Sequence, residues 1–273
     1  MTGRWPAVAR TDFANISRSY LVRGIVGVFV LLVVGIVTLP GLVSDFASAE
    51  GVFQFTTQAS ATVVPITALI AGYLSIAGER QSGSIRVLLS LPPSRRDVFV
   101  GKFLSRSGVV LVGILLAFAL AAVGSQLVYG SLPAETVVVT TLLTAALGVT
   151  FAAIAVAISA ATASRSRAVA ASIAFFLVTV VLWRPLMFAL RFLLGELQTR
   201  GPPPDWIQFL TVFPPSQTFA RLTTSLVGSL LSQGSPPGDA VYLSDPALGL
   251  VMVGWLIVPL VLGYWLFARA DLS

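Results

Sequence analysis

The chain has 273 residues, of which 56% are hydrophobic and only 10% are charged, whereas a soluble domain is about one quarter charged. With a mean hydropathy of +0.92, this composition predicts an all-α, polytopic membrane protein forming a single domain over residues 1–273, and excludes a globular domain with one anchor. The chain contains no cysteine and no histidine, so disulfides, thiolate chemistry and the commonest metal ligands are excluded, and no cofactor is expected. The net charge of +6 is distributed by membrane side, so no nucleic-acid partner is expected.

Residues 1–23 are polar and contain four arginines. Five apolar or small residues recur on one stripe at helical spacing: Trp5, Ala9, Phe13, Ile16 and Tyr20. This pattern predicts a helix that lies in the inner membrane interface. An amphipathic tail without a specific role is the alternative.

Six apolar runs follow, each about as long as the 20 residues that cross a bilayer. They are residues 24–43, 59–77, 105–128, 136–162, 168–190 and 247–267. The sequence 47–49, Ala-Ser-Ala, resembles a signal-peptidase site, but the first run is longer than the apolar region of a signal peptide, which favours an uncleaved span. Pro65 is expected to kink the second span. Arg184, near the end of the fifth, is expected to reach the outer interface.

The distribution of basic residues predicts the orientation. With both termini in the cytoplasm, thirteen of the 17 basic residues lie on the inner side, in agreement with the positive-inside rule. The four on the outer side are Arg184, Arg191, Arg200 and Arg221. This orientation predicts a multi-pass protein of the cell membrane.

Residues 191–246 form the longest outer segment, and prolines divide it into short pieces. Phe219, Leu222, Leu226 and Leu230 recur at helical spacing after Ser216, which could cap a helix. The pattern predicts a helix that lies on the outer membrane surface. A re-entrant hairpin beginning at Trp206 is the alternative.

The segment from Glu79 to Lys102, between the second and third spans, is the most informative part of the sequence. Gly83 can supply the positive φ that ends a helix. A short amphipathic helix is predicted over 84–90, in which Ile85, Leu88 and Leu89 share one face while Arg86 points away. An ordinary basic loop that only fixes the orientation is the alternative.

The end of the segment contains stop and start signals. Pro92 and Pro93 end the short helix, and Ser94 is placed to cap the next one. Arg95 and Arg96 are expected near the lipid headgroups. Gly101 and Lys102 lead into the third span.

These residues resemble a known family. The pattern Glu-x-x-x-Gly-Ser-Ile-x-x-Leu-Leu-x-x-Pro-x-Ser-Arg-x-x-x-x-x-Gly-Lys, from Glu79 to Lys102, is similar to the loop between the second and third helices of type 2 ABC transporter permeases. Ser84 stands where threonine is commoner, and Pro93 makes a double proline. Outside this loop the resemblance is one of layout.

The resemblance implies a role for the loop. In the family it packs against a separate ATPase subunit and passes nucleotide-driven motion to the helices. The resemblance implies that Ile85, Leu88 and Leu89 form the docking face, and that Glu79 and Arg86 are polar contacts to the ATPase. Pro92 to Arg96 would form a rigid joint to the third span. The full set of residues assigned to coupling is Glu79, Gly83, Ser84, Ile85, Arg86, Leu88, Leu89, Pro92, Ser94, Arg95, Gly101 and Lys102.

The resemblance also implies an assembly of two permeases, identical or different, with two ATPase subunits in membrane lipid. The chain has no phosphate-binding loop of its own, so ATP hydrolysis is expected in the partner and the chain is not expected to be an enzyme. Drug, lipid or polysaccharide exporters and the permease of nitrous-oxide-reductase maturation share this layout, and the sequence does not separate them.

The spans contain no obvious membrane-buried Asp, Glu, Lys or His. Ion-driven carriers usually need such a group as their coupling site, and intramembrane hydrolases need a Ser–His or paired-Asp arrangement. The sequence therefore disfavours both classes. A self-contained channel or carrier and a non-transporting membrane assembly factor remain the alternatives from other classes.

Overall fold

A computed structural model describes residues 4–44, 48–85, 93–195, 203–230 and 241–270. Within these ranges the chain is helical and has no strands, which confirms the all-α prediction. The helices are α1 (Trp5–Ser17), α2 (Tyr20–Val43), α3 (Ala49–Gly72), α4 (Ala77–Ser82), α5 (Arg95–Tyr129), α6 (Ala134–Ala161), α7 (Arg165–Phe176), α8 (Trp183–Leu193), α9 (Asp205–Val212), α10 (Pro215–Leu230) and α11 (Asp245–Arg269). A π-helical turn, Leu177–Val181, continues α7, and a short 3₁₀ turn, Val241–Leu243, precedes α11.

Within the described ranges, five helical segments are long and apolar enough to cross a membrane, and counting a bent pair of helices as one span brings the number to six. The polytopic class predicted from composition is therefore confirmed. Two helices begin about ten residues earlier than the apolar runs predict: α3 at Ala49 and α5 at Arg95. Both early turns start at a capping serine, since Ser48 accepts a hydrogen bond from the backbone N–H of Gly51, and Ser94 accepts one from that of Asp97.

Helix α6 is the centre of the bundle and packs against α3, α5, α10 and α11. Small residues allow the close approach: a Cβ added at Gly72 of α3 would lie 2.6 Å from the Cβ of Ala155, and one added at Gly148 would lie 2.7 Å from Ile114. Large buried side chains, including Phe53, Phe118, Leu147 and Phe151, fill the core around this helix.

The predicted fifth span is broken. Helix α7 and its π-helical turn meet α8 at an angle of 56°. The backbone N–H of Leu182 donates to Leu177, five residues back, at 2.7 Å. Pro185 has no N–H to continue the ladder to Val181, so the helix bends at this point. The indole N–H of Trp183 then donates to the carbonyl of Leu210 at 2.9 Å, which holds α8 against α9.

The outer segment differs from its prediction. The helix expected after Ser216 is present as α10, but it packs into the bundle against α3, α6 and α11 instead of lying on the surface. Phe219 and Leu222 join the main core. Ser216 is buried and donates to the carbonyl of Thr179 at 3.3 Å instead of capping the helix. Helix α9, which precedes α10, begins at Asp205, one residue before Trp206.

Helix α1 is present, but its packed face differs from the predicted stripe. Trp5 and Tyr20 are exposed, whereas Val8, Asp12 and Ile16 are buried. These three residues recur every fourth position and face α5, so the helix is partly held by protein contacts. The Asp12 carboxylate lies at the centre of this face.

Candidate functional site: a buried charge cluster at one end of the bundle

Four charged side chains, Asp12, Glu79, Lys102 and Arg106, meet at the end of the bundle where α1, α4 and α5 converge. The Lys102 Nζ donates to Asp12 Oδ1 at 2.5 Å and also pairs with Glu79 Oε1. One turn later on α5, the Arg106 guanidinium pairs with Asp12 at 3.2 Å and donates to the carbonyl of Ala71 at 3.0 Å. We call these four residues the base cluster.

Burial makes the base cluster energetically important. Lys102 is 4% exposed and Asp12 is 8% exposed, and charges removed from water to this extent are stable only when paired. Two acids and two bases cancel, so the cluster is neutral as a whole. Because its members come from α1, α4 and α5 and also bind the last turn of α3, the cluster ties four helix ends together.

Glycine brings α1 close enough for these pairs to form. A Cβ added at Gly101 would lie 2.7 Å from the Cβ of Val8 and 3.1 Å from the backbone nitrogen of Ala9. Any other residue at position 101 would push α1 away from α5. Asp12 lies one turn after Val8 on the same face, so the contact at Gly101 places its carboxylate against Lys102.

The start of α5 is held by a capping box. Ser94 Oγ accepts a hydrogen bond from the N–H of Asp97, and the Asp97 carboxylate accepts from the N–H of Ser94 at 3.1 Å. The same carboxylate accepts from the N–H of Trp5 at 3.1 Å. The predicted cap at Ser94 is therefore confirmed, and it also fixes the first residue of α1.

Two arginines of the segment bind the ends of other helices. Arg95 donates to three carbonyls at the end of α11, those of Phe267, Ala268 and Ala270, at 2.8–3.0 Å. Arg80 donates to the carbonyls of Ala160 and Thr162, at the end of α6. Carbonyls in the last turn of a helix generally lack intrahelical partners, and the carbonyl of Phe267 also accepts from the N–H of Ala270 at 3.3 Å. Arg95 is therefore engaged inside the chain, which differs from the headgroup position expected for it.

The polar turn between α3 and α4 is also fastened to α6. The Ser159 hydroxyl accepts from the backbone N–H groups of Ile76 and Ala77, both at 3.0 Å. The side-chain oxygen of Gln81 accepts from the N–H of Arg165 at 2.8 Å, at the start of α7. Displacement of α4 would therefore act on α6 and α7 as well as on α5.

Ile85 occupies a different place from the one that its apolar pattern suggests. It is 2% exposed and belongs to a small core formed with Ile76, Val98, Phe99 and Phe267, among others. Because its side chain is buried against other residues of the chain, Ile85 anchors the segment and does not form part of an exposed docking face.

The remaining coupling residues divide into four groups. Gly83 has a φ of 76° and ends α4, as predicted. Ser84 and Ser94 are exposed. Glu79, assigned to the partner by resemblance, is paired with Lys102 inside the chain, with its side chain 29% exposed. Arg86, Leu88, Leu89 and Pro92 lie outside the described residues.

Reasoning from hydropathy did not find the base cluster, because Asp12, Glu79 and Lys102 lie outside the apolar runs. Hydropathy starts the third span at residue 105 and leaves Lys102 in a loop, whereas α5 already begins at Arg95. The distribution of charged residues places Asp12 and Arg106 on the inner side, but it does not indicate that they are buried. Two signals could have found them: Lys102 and Arg106 are four residues apart on one helix face, and Asp12 interrupts a stripe that continues through Val8 and Ile16.

Comparison with known proteins shows the family. The model for the ABC-2 family transporter protein matches residues 6–272, and the chain belongs to this family. Its members are membrane-embedded permease components of ABC transporters, which in general work with an ATPase.

Two relatives show the similarity over the whole length. The probable ABC transporter permease protein NosY of Pseudomonas aeruginosa is 26% identical to this chain over 96% of the chain and 97% of the relative. The protein of the same name from Stutzerimonas stutzeri is 24% identical over the same shares. Both names place the similarity among permeases, in agreement with the resemblance carried by residues 79–102.

Proposed function

We propose that the chain is the membrane subunit of an ABC exporter and that residues 79–102 couple it to a separate ATPase subunit. The observation that supports this most directly is the set of contacts made by the segment. Lys102, Glu79, Arg80 and Arg95 bind α1, α6 and α11 through buried ion pairs and helix-end carbonyls. A force applied to the segment would therefore act on several spans at once.

In this proposal the ATPase pushes on the middle of the segment, and the residues on either side of that part transmit the force to the helices. Ile85 and the base cluster are the internal anchor. Leu88, Leu89 and Arg86 are the contact surface for the ATPase, as the sequence pattern suggests. Ser84 and Ser94, which precede and follow these residues in the sequence, are exposed. ATP is hydrolysed in the partner, because the chain has no phosphate-binding loop.

The complete transporter would contain two permeases, identical or different, and two ATPase subunits in the lipid of the cell membrane. Full-length similarity to the two NosY permeases supports a permease of that kind as the second candidate function. The neighbouring reading frames separate the two: an adjacent ATPase with a phosphate-binding loop supports both, and further neighbours indicate the cargo.

The coupling proposal predicts that L88D/L89D abolishes association with the ATPase. Two carboxylates would replace the apolar surface that docks on the partner, and burying them there without a partner would be unfavourable. The experiment purifies the tagged chain together with the ATPase encoded beside it and measures the ratio of the two subunits. We expect the ATPase to fall to about one tenth or less, the change that a loss of roughly 1.4 kcal/mol produces.

A matched control places two carboxylates on apolar residues away from the segment. Leu230 and Val241 are both exposed. Leu230 is the last residue of α10, and Val241 is the first residue of the 3₁₀ turn before α11. L230D/V241D should leave the subunit ratio unchanged. If L88D/L89D inserts into the membrane normally and still retains the ATPase, these leucines are not the docking surface.

The orientation gives a second prediction. The chain has no cysteine, so a single serine-to-cysteine variant carries one thiol. S84C and S166C, at exposed positions on the predicted inner side, should resist a membrane-impermeant maleimide in intact cells and react after permeabilisation. S131C, at an exposed position between α5 and α6, should react with the same maleimide in intact cells. The reverse pattern would show that the segment faces outward and would exclude a cytoplasmic ATPase as its partner.

A further inference from the structure

A polar cavity of about 480 Å³ opens at the end of the bundle opposite to the base cluster, between α3, α8, α9 and α10. Its volume falls within the range of roughly 300–1,000 Å³ that is typical of ligand sites. Three of the residues that line it are arginines: Arg184 and Arg191 from α8, and Arg221 from α10. Among the described residues that line it, none is acidic.

The convergence of these arginines is unusual for this chain. The sequence places four basic residues on the outer side, and three of them line this one cavity. Like charges that face one space repel, and the repulsion is strongest where apolar walls exclude water. Met187, Phe188 and Val212 provide the apolar part of this cavity's wall. An anion between the guanidinium groups of Arg184 and Arg191 would make this arrangement favourable.

The individual contacts leave hydrogen-bonding capacity for a ligand. Arg191 Nε is buried and has no hydrogen-bond partner among the described residues. Arg184 is oriented by Gln217, whose side-chain oxygen accepts from Arg184 Nε at 3.0 Å, so the rest of its guanidinium is presented in a fixed direction. Gln58 and Thr224 add an amide and a hydroxyl to the wall.

The cavity continues into the bundle. A second space of about 250 Å³ shares Gln58, Arg184 and Gln217 with the first, and is also lined by Thr62 and Ser216. The hydrogen bond between Arg184 and Gln217 lies at the boundary of the two spaces. A ligand held by the arginines would therefore have its remaining part next to the polar groups of α3 and α10 that line the second space.

We infer that this cavity binds a phosphate-bearing anion through Arg184, Arg191 and Arg221. Guanidinium groups match the geometry of phosphate oxygens and form charge-assisted, often bidentate hydrogen bonds with them. Several guanidiniums around one space suit an anion with several oxygens better than a single carboxylate. The inference concerns the purified chain alone and does not depend on coupling to an ATPase.

The test measures binding of two probes to the purified chain in neutral detergent. One probe is inorganic pyrophosphate, measured by titration calorimetry. The other is phosphatidylglycerol, measured by native mass spectrometry against phosphatidylcholine. Binding of pyrophosphate indicates a soluble ligand, and preferential retention of phosphatidylglycerol with no pyrophosphate binding indicates a lipid headgroup. Either result supports the site when it depends on the arginines.

The decisive variants are R191Q and R191K, compared with R165Q/R167Q. R191Q should weaken binding by about tenfold or more, as expected for the loss of a charge-assisted hydrogen bond, whereas R191K should weaken it less. The control removes exposed arginines from the opposite end of the bundle and should leave binding unchanged. The unpartnered Nε of Arg191 predicts that R191Q folds normally, which its thermal unfolding curve checks. Absence of binding to both probes, or equal binding by R191Q and the wild type, would overturn the inference.

Discussion

Lys102→Met should strongly destabilise the protein, with a loss of about 3–5 kcal/mol in the free energy of unfolding. The methionine preserves most of the side-chain volume but removes the positive charge that faces Asp12 and Glu79. Arg106 can still pair with Asp12. Glu79 would lose the lysine that neutralises it, and the cluster would carry an uncompensated negative charge. Thermal unfolding of the purified protein in detergent measures the loss.

A double-mutant cycle separates the ion pair from simple loss of packing. In E79Q/K102M both partners of one pair are removed, and the pair between Asp12 and Arg106 remains. The double variant should therefore be more stable than K102M alone, because no unpaired charge is left behind. R96Q removes an exposed charge from the first turn of the same helix and should have little effect. If K102M unfolds at the same temperature as R96Q, the base cluster does not support the fold.

Much of the fold could be predicted from hydropathy because a membrane-spanning helix must satisfy all its backbone hydrogen bonds internally. The run expected over 136–162 corresponds to α6, Ala134–Ala161, and the run over 247–267 to α11, Asp245–Arg269. Both helices consist largely of apolar residues up to their ends. Hydropathy fails where polar residues extend a helix, as in α5, whose first turns contain Lys102 and owe their stability to partners on α1 and α4.

In the candidate site, local sequence predicts some residues correctly and fails for others. Local sequence was sufficient for Gly83 and Ser94, because a positive φ and a helix cap depend on neighbouring residues. It was insufficient for Ile85, which has the spacing of a docking residue but packs on Phe267 and its neighbours from a distant part of the chain. The same holds for Asp12, since 90 residues separate it from Lys102. A single sequence can show that Asp12 interrupts an apolar stripe, but it does not show which distant residue pairs with it.

The close packing of α11 on α6 leads to the second large effect. A Cβ added at Gly263 would lie 2.6 Å from the Cα and 2.7 Å from the Cβ of Ala157, distances at which one of the two helices must move. Gly263→Ala should therefore destabilise the protein by about 1–3 kcal/mol, the usual range for overpacking. A larger residue such as valine should cost more. Unfolding in detergent again measures the difference.

Gly254 provides the matched control, because it lies in the same helix and a Cβ added there would have no atom within 4 Å. Gly254→Ala should be neutral or stabilising by roughly 0.5–1 kcal/mol, since alanine is the better helix former. The two variants add the same methyl group to the same helix, so the difference between them isolates the contact with Ala157. Because Arg95 binds the carbonyls at the end of α11, displacement of this helix should also reach the segment of residues 79–102. G263A should then lower ATPase association as well as stability, whereas equal association in both variants would show that α11 is not part of the coupling path.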